Sequence, residues 1–219
     1  MPKFPRIVVP GYPHHIINRG NRRQTVFFSE DDKRFFYTLL KRETTKAKIN
    51  IWVYCLMDNH FHLVAVPEKK DSLAKGISEA QRKYALHINT RNDWKGHLWQ
   101  TRFSSYPMDN THLYLATRYI EQNPVIAGLV KKAEDYCWSS APAHVFKVKD
   151  ELLSDFDLAL SIPDWGAYLR EEIKEIDMNL LRSHAKSGRP LGDDAFLDEL
   201  ENLTGKSLRK KKPGPKKRK

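Results

Sequence analysis

Two short constellations carry residue types whose spacing suits chemistry. In the run His60-Phe61-His62, side chains on a strand alternate between its two faces, so both imidazoles share one face and Phe61 takes the other. That arrangement offers two nitrogen ligands to a divalent metal; its competitor is a pair of hydrogen-bonded histidines at a strand start. In Tyr119-Ile-Glu-Gln-Asn123, the tyrosine and the asparagine are four residues apart and share a helix face. Pro124 removes a helical hydrogen bond and disfavours α geometry at Asn123, so the helix kinks or ends there with the carboxamide free for a ligand. The competing reading is a core tyrosine followed by a helix-terminating Asn-Pro. Together the two constellations say more than either alone. A phenol attacking a phosphodiester needs a cation to neutralise the phosphate oxygens, and a hard cation accepts imidazole nitrogen, carboxamide oxygen and water. His60, His62 and Asn123 supply that set for Mg²⁺ or Mn²⁺, and Tyr119 supplies the phenol. Cys55, His14, His15 and His97 remain as further ligands. No H-x-H-x-D, H-E-x-x-H or C-x-x-C spacing is present from which a zinc site is built.

These residues need elements to position them. Residues 12–18 read as a short strand, followed by the basic turn Arg19-Gly-Asn-Arg-Arg-Gln24. Ser29, with Glu30, Asp31 and Asp32 behind it, opens an amphipathic helix that ends near Lys48. Residues 51–57 and 60–66 are apolar strands joined by the tight Asp58-Asn59 turn, which predicts an antiparallel hairpin. A second helix after Asp71-Ser72 carries the stripe Leu73, Ile77, Ala80, Tyr84 and Ile88. Residues 97–108 read as a fourth strand, and Asn110-Thr111 caps a third helix that runs to Pro124. The order predicts an α+β fold: a ferredoxin-like split βαββαβ antiparallel sheet with helices on one face and the other face free for ligand.

At 219 residues, 40% hydrophobic and 30% charged, the chain supports one sizeable core with an appendage. The net charge of +11 divides unevenly: residues 1–146 carry +9, residues 147–205 carry −7 and residues 206–219 carry +9. The first segment is the expected catalytic domain. The second is an acidic helical extension, with helices predicted over 165–181 and 193–203, Gly188-Arg-Pro-Leu-Gly192 between them, and an accessory DNA-binding unit as one reading of it. The third is a disordered basic tail whose Lys210, Lys211 and Lys212 grip polyanions without sequence preference. Phosphate-rich polymer is the natural partner for both cationic zones. No stretch approaches the roughly 20 consecutive apolar residues a bilayer needs. Met1-Pro-Lys-Phe-Pro-Arg6 lacks the apolar run of a secretory signal, so a cytoplasmic protein with no membrane partner is expected.

The run Y-C-L-M-D-N-H-F-H-L-V-A-V-P, then L-W-Q-T-R-F, then R-Y-I-E-Q-N-P-V-I-A-G-L-V resembles the single-tyrosine HUH transposases. Among them it is most similar to the REP-associated tyrosine transposases, whose N-R-G-N-R-R-Q-x-V-F-F run also stands here, from Asn18 to Phe28. The resemblance covers roughly residues 5–145 with four separated motifs in order. It implies a metal-dependent single-strand DNA endonuclease and strand transferase, associated with the nucleoid, acting on hairpins of repetitive palindromes beside a short guide sequence. It gives Tyr119 as the nucleophile of a 5′-phosphotyrosine, and His60, His62 and Asn123 as metal ligands. Arg19, Arg22, Arg23, Arg82, Lys83, Arg102 and Arg118 are the expected phosphate contacts, and Trp52, Trp94, Trp99 and Phe103 the candidates for stacking on unpaired bases. The other reading is a non-catalytic regulator that keeps the fold and the charge and only grips hairpin DNA or RNA. Relatives of this fold act as monomers or as homodimers, and either is open here.

Overall fold

The computed structural model describes residues 6–209 of the chain. Four strands, β1 (His14–Arg19), β2 (Ile49–Met57), β3 (His60–Pro67) and β4 (Ser104–Pro107), form one antiparallel sheet in the order β2-β3-β1-β4. That is the ferredoxin-like order, with β2 and β3 joined by the expected Asp58-Asn59 turn. Helices α1 (Glu30–Lys46) and α2 (Ser72–Arg91) lie against one face. Ser29 caps α1 by accepting from the Asp32 N–H, and the acids of the first turn complement the positive end of the helix dipole. Between these helices and the sheet lies an apolar cluster that includes Phe36, Tyr84, Ile16, Phe61 and Leu63. Each such fully buried side chain contributes about 1.5–3 kcal/mol of transfer free energy.

The fourth strand is shorter than its apolar run suggests. Leu98, Trp99 and Phe103 are buried in the first cluster from a loop, where hydrophobicity is satisfied without strand pairing. Trp99 makes an isolated bridge to Gly20 and donates its indole N–H to the Gln81 carbonyl. Stacking on bases is therefore closed to Trp99 and Phe103, whose faces are already packed, and Trp52 stacks on Phe156 at 4.9 Å. Trp94 alone of the four is exposed.

The face expected to be free for ligand is largely covered. Helix α3 (Asn110–Glu121), its short continuation α4 (Asn123–Ile126), and α5 (Ala141–Phe146), α6 (Asp157–Ser161), α7 (Trp165–Arg170) and α8 (Glu175–Ser187) follow the sheet in the chain. Their apolar residues merge with Val53, Val64, Tyr106 and Met108 into a second cluster. The extension thus completes the sheet's second layer: Leu152 joins the first cluster, while Phe156, Trp165, Leu181 and Leu191 join the second. Leu191, in the Gly188–Gly192 stretch, bridges Met108 at the edge of the sheet. The last helix, α9 (Asp194–Thr204), packs Phe196 and Leu200 against Ile7 and Val9. The first four residues of the expected disordered tail are ordered, with Leu208 buried and Arg209 paired with Asp198 at 2.8 Å. Lys210, Lys211 and Lys212 lie outside the described residues. Among the described residues, no helix is long and apolar enough to cross a membrane.

Candidate active site

Strand register brings the candidate residues to one spot. Opposite residues in an antiparallel pair share a face, and β1 sets Ile17 against His62 and Arg19 against His60. His15, two residues before Ile17, lies on that face beside them, with Tyr106 of β4 opposite it. The His60 and His62 rings are 5.1 Å apart between centroids. Helix α3 crosses this face and places the Tyr119 ring edge-on to His62 at 5.6 Å. Tyr119 is 7% exposed and His62 2%. Among the described residues the Tyr119 hydroxyl has no hydrogen-bond partner.

Hydrogen-bond accounting fixes which atoms face the site. The Leu181 carbonyl of α8 can only accept, so the Tyr106 hydroxyl donates to it at 3.3 Å. The Tyr106 oxygen then accepts from His15 Nδ1–H at 2.7 Å, and His15 Nε2 accepts from His62 Nδ1–H at 2.8 Å. His62 is left with an unprotonated Nε2. At His60, Nδ1–H donates to Asn59 Oδ1 at 2.6 Å, while Asn59 Nδ2 donates to the Arg23 carbonyl at 3.2 Å. His60 Nε2 is therefore also a lone pair. Asn123 donates its Nδ2 to the Tyr119 carbonyl at 2.7 Å, which leaves its Oδ1 as the free end of the side chain, beside the His60 ring. The helix break at Gln122 thus frees the oxygen of the carboxamide and ties down its nitrogen.

Burial keeps these rings neutral. It pushes His15 down to about 3, and His60 to about 4 with help from the Arg19 charge. His62 is lowered well below the usual histidine range by burial, then by the charges of His60, His15 and Arg19. Two imidazole lone pairs and a carboxamide oxygen converging without a donor between them is a donor set that a hard cation satisfies. Among the described residues no group of three or more His, Cys, Asp or Glu is placed to hold a metal, and the oxygen beside the two imidazoles belongs to the neutral Asn123. Of the other conceivable ligands, His14 is tied to the Tyr12 carbonyl and the Val9 N–H, and His97 is exposed in the loop before β4. Burial pushes the Cys55 thiol up, which disfavours the thiolate that binds metal. His15 acts one step out, through His62.

Above Tyr119 and His62 opens a cleft of about 800 Å³. Arg19 and Arg23 line it, together with Arg182 and Lys186 of α8 from the acidic extension. The first pair was expected; the second was hidden, because a segment of net −7 gives no sign that two of its bases face inward. Arg22 and Arg102 are exposed outside the cleft. Arg82 and Lys83 pair with Glu79 on α2, which covers the opposite sheet face. Arg118 pairs with Glu171 and lies over the Tyr168 ring at 4.5 Å.

Glu121 anchors the tyrosine helix. Its buried carboxylate accepts from His144 at 2.7 Å, from Trp165 Nε1 at 2.7 Å and from the Ser140 hydroxyl. Helix α3 is thereby fixed to α5 and α7.

Sheet, histidine pair, facing tyrosine and cationic cleft define a transposase-like DNA-processing protein. The family described as Transposase IS200 like matches residues 9–123, more than half of the chain, and the chain belongs to that family. The chain is similar to the solved structure of a REP-associated tyrosine transposase bound to a REP hairpin, with a TM-score of 0.53 and 20% identity over 80% of this chain and 100% of that one. At that identity the likeness shows the fold. A crystal structure assigned as a transposase from Deinococcus radiodurans aligns with a TM-score of 0.37 and 19% identity, over 56% of this chain and 97% of that one. No curated protein sequence matches this chain.

Proposed function

We propose that the protein is a metal-dependent single-strand DNA endonuclease and strand transferase that cleaves hairpin-forming repeat DNA through a 5′-phosphotyrosine at Tyr119. The observation that carries this reading is the edge-on approach of Tyr119 to His62 at the floor of the cationic cleft. Family membership supports a DNA-processing role, and the REP-hairpin-bound relative supports hairpin DNA as the substrate. Such a substrate places the protein at the nucleoid.

In this reading Arg19 and Arg23 hold the backbone so that a phosphorus reaches the Tyr119 hydroxyl. The phenol oxygen forms the new bond to phosphorus as its proton passes to water, and the bond from phosphorus to the 3′ oxygen breaks, that oxygen taking a proton from water to become the freed 3′-hydroxyl. His60 Nε2, His62 Nε2 and Asn123 Oδ1 would hold Mg²⁺ or Mn²⁺. A bound cation supplies charge neutralisation on the phosphate oxygens and eases loss of the phenol proton. The protein–DNA link conserves the phosphodiester energy, so attack by a 3′-hydroxyl rejoins strands without a nucleotide cofactor.

The test is incubation with a labelled palindromic single strand carrying natural flanks, in Mg²⁺ or EDTA, followed by a denaturing gel. An adduct that needs both metal and Tyr119, and vanishes in Tyr119→Phe, is the expected result. Tight hairpin binding with no adduct across the organism's own repeats would instead make the protein a non-catalytic binder.

A further inference from the structure

We propose that α8 forms the second wall of a channel for an extended single strand of DNA, with Arg182 and Lys186 holding its phosphates opposite Arg19 and Arg23. The proposal rests on the reading of the cleft as a DNA-cleaving site. It adds α8, an element of the extension, as what grips the unpaired strand beside the hairpin.

Helix α8 is docked on the sheet in a fixed register. Ser104 and Tyr106, alternate residues of β4, donate to the carbonyls of Ala185 and Leu181. Alternate strand residues are about 6.8 Å apart and helix residues four apart rise about 6 Å, so the two repeats match. With Leu181 and Ala185 held against the strand, the neighbouring row of Arg182 and Lys186 is turned toward the cleft opening, and both are exposed there. The 6 Å step between them is comparable with the separation of successive phosphates in an extended strand.

Charge accounting points the same way. Four cations and no carboxylate line the cleft. None of Arg19, Arg23, Arg182 or Lys186 forms an ion pair among the described residues, whereas Arg82, Lys83, Arg91 and Arg118 each pair with a carboxylate. Cations left unpaired in the lining of one groove that also holds a phenol form an anion track. A cleft of about 800 Å³ is of a size to take one or two nucleotides. Helix α8 also lies beyond residues 9–123, so this grip belongs to the extension and not to the stretch matched by the family.

The test measures binding in EDTA, where cleavage is suppressed, by fluorescence anisotropy at 50–200 mM KCl. Two labelled probes are compared: a hairpin with a single-stranded flank of five thymidines, and the same hairpin without it. The double variant Arg182→Ala/Lys186→Ala is expected to weaken the flanked probe roughly tenfold and to reduce its salt slope by about 1.4. The flankless hairpin should bind as before, and Arg182→Lys/Lys186→Arg should restore the wild-type affinity. No loss, or an equal loss on both probes, overturns the proposal. Thermal melting of each variant separates lost contacts from lost folding. Adduct formation is not scored, so the cleavage reading and the α8 reading fail separately.

Discussion

His15 Nε2 lies 2.8 Å from His62 Nδ1, so a residue 47 positions earlier orients the histidine beside the candidate nucleophile. The chain of donors begins at the Tyr106 hydroxyl, which is itself aimed by the Leu181 carbonyl. Tyr106→Phe removes the acceptor of His15 Nδ1–H and leaves the ring's shape in place. Loss of such an outer partner costs about 10–100-fold in metal affinity. Calorimetric titration with Mn²⁺ should show that drop, and unchanged Mn²⁺ binding would refute the relay.

Glu121→Ala leaves the donors of His144 and Trp165 buried without an acceptor, while Ser140 keeps the Tyr54 carbonyl at 3.3 Å. Each orphaned donor costs about 1–3 kcal/mol. Urea unfolding should show a loss of about 2 kcal/mol or more. A loss below about 1 kcal/mol would mean that the carboxylate does not brace α3.

Gly20 precedes the turn that carries Arg22 and Arg23, both at positive φ. A Cβ at Gly20 would land on the Gln24 carbonyl oxygen and 2.8 Å from Val26 Cγ1. Backbone cannot yield as a flexible side chain does, so Gly20→Ala should displace the turn, cost about 1–3 kcal/mol and weaken hairpin binding. Anisotropy and melting curves matching wild type would show that the turn tolerates the methyl.

Four histidines that burial holds neutral, His14, His15, His60 and His62, set an acid limit on stability. His14, with Nδ1–H donated to the Tyr12 carbonyl at 2.8 Å and Nε2 accepting from the Val9 N–H at 3.2 Å, is pushed by burial to about 4. His15 and His60 are lowered to about 3 and about 4. The unfolded chain, with histidines near the ordinary value of about 6.5, takes up protons first. Stability is therefore complete above about pH 6.5 and is lost as pH falls toward 4, at about 1.4 kcal/mol per pH unit for each histidine. Chemical denaturation in EDTA at pH 7, 6 and 5 should trace that slope, and a flat profile would contradict it.

The elements that carry periodic signals were legible in the sequence. The strands around Ile16, Val53 and Leu63, the stripe of α2 and the Ser29 cap are where the local pattern places them. The apolar run 97–108 misled because Leu98, Trp99 and Phe103 satisfy their hydrophobicity by packing from a loop. The helix expected over 165–181 is two, α7 ending at Arg170 and α8 starting at Glu175, with Glu171 extended between them. At the site, His60, His62, Tyr119 and Asn123 were readable because each pair is local in sequence. The role of His15 and the facing of Arg182 and Lys186 depend on contacts between distant strands and helices, which no local window records.

The grip of Glu121 on Ser140, His144 and Trp165 has a bearing on how many copies a cut requires. A tyrosine helix bolted to its own C-terminal half cannot be lent to a neighbour without tearing out a buried carboxylate. If Tyr119 is the nucleophile as proposed, each chain would carry it and its histidines as one indivisible kit. Mixing Tyr119→Phe copies with His62→Ala copies should restore no adduct, whereas two helix-exchanging partners would rebuild one intact centre between them.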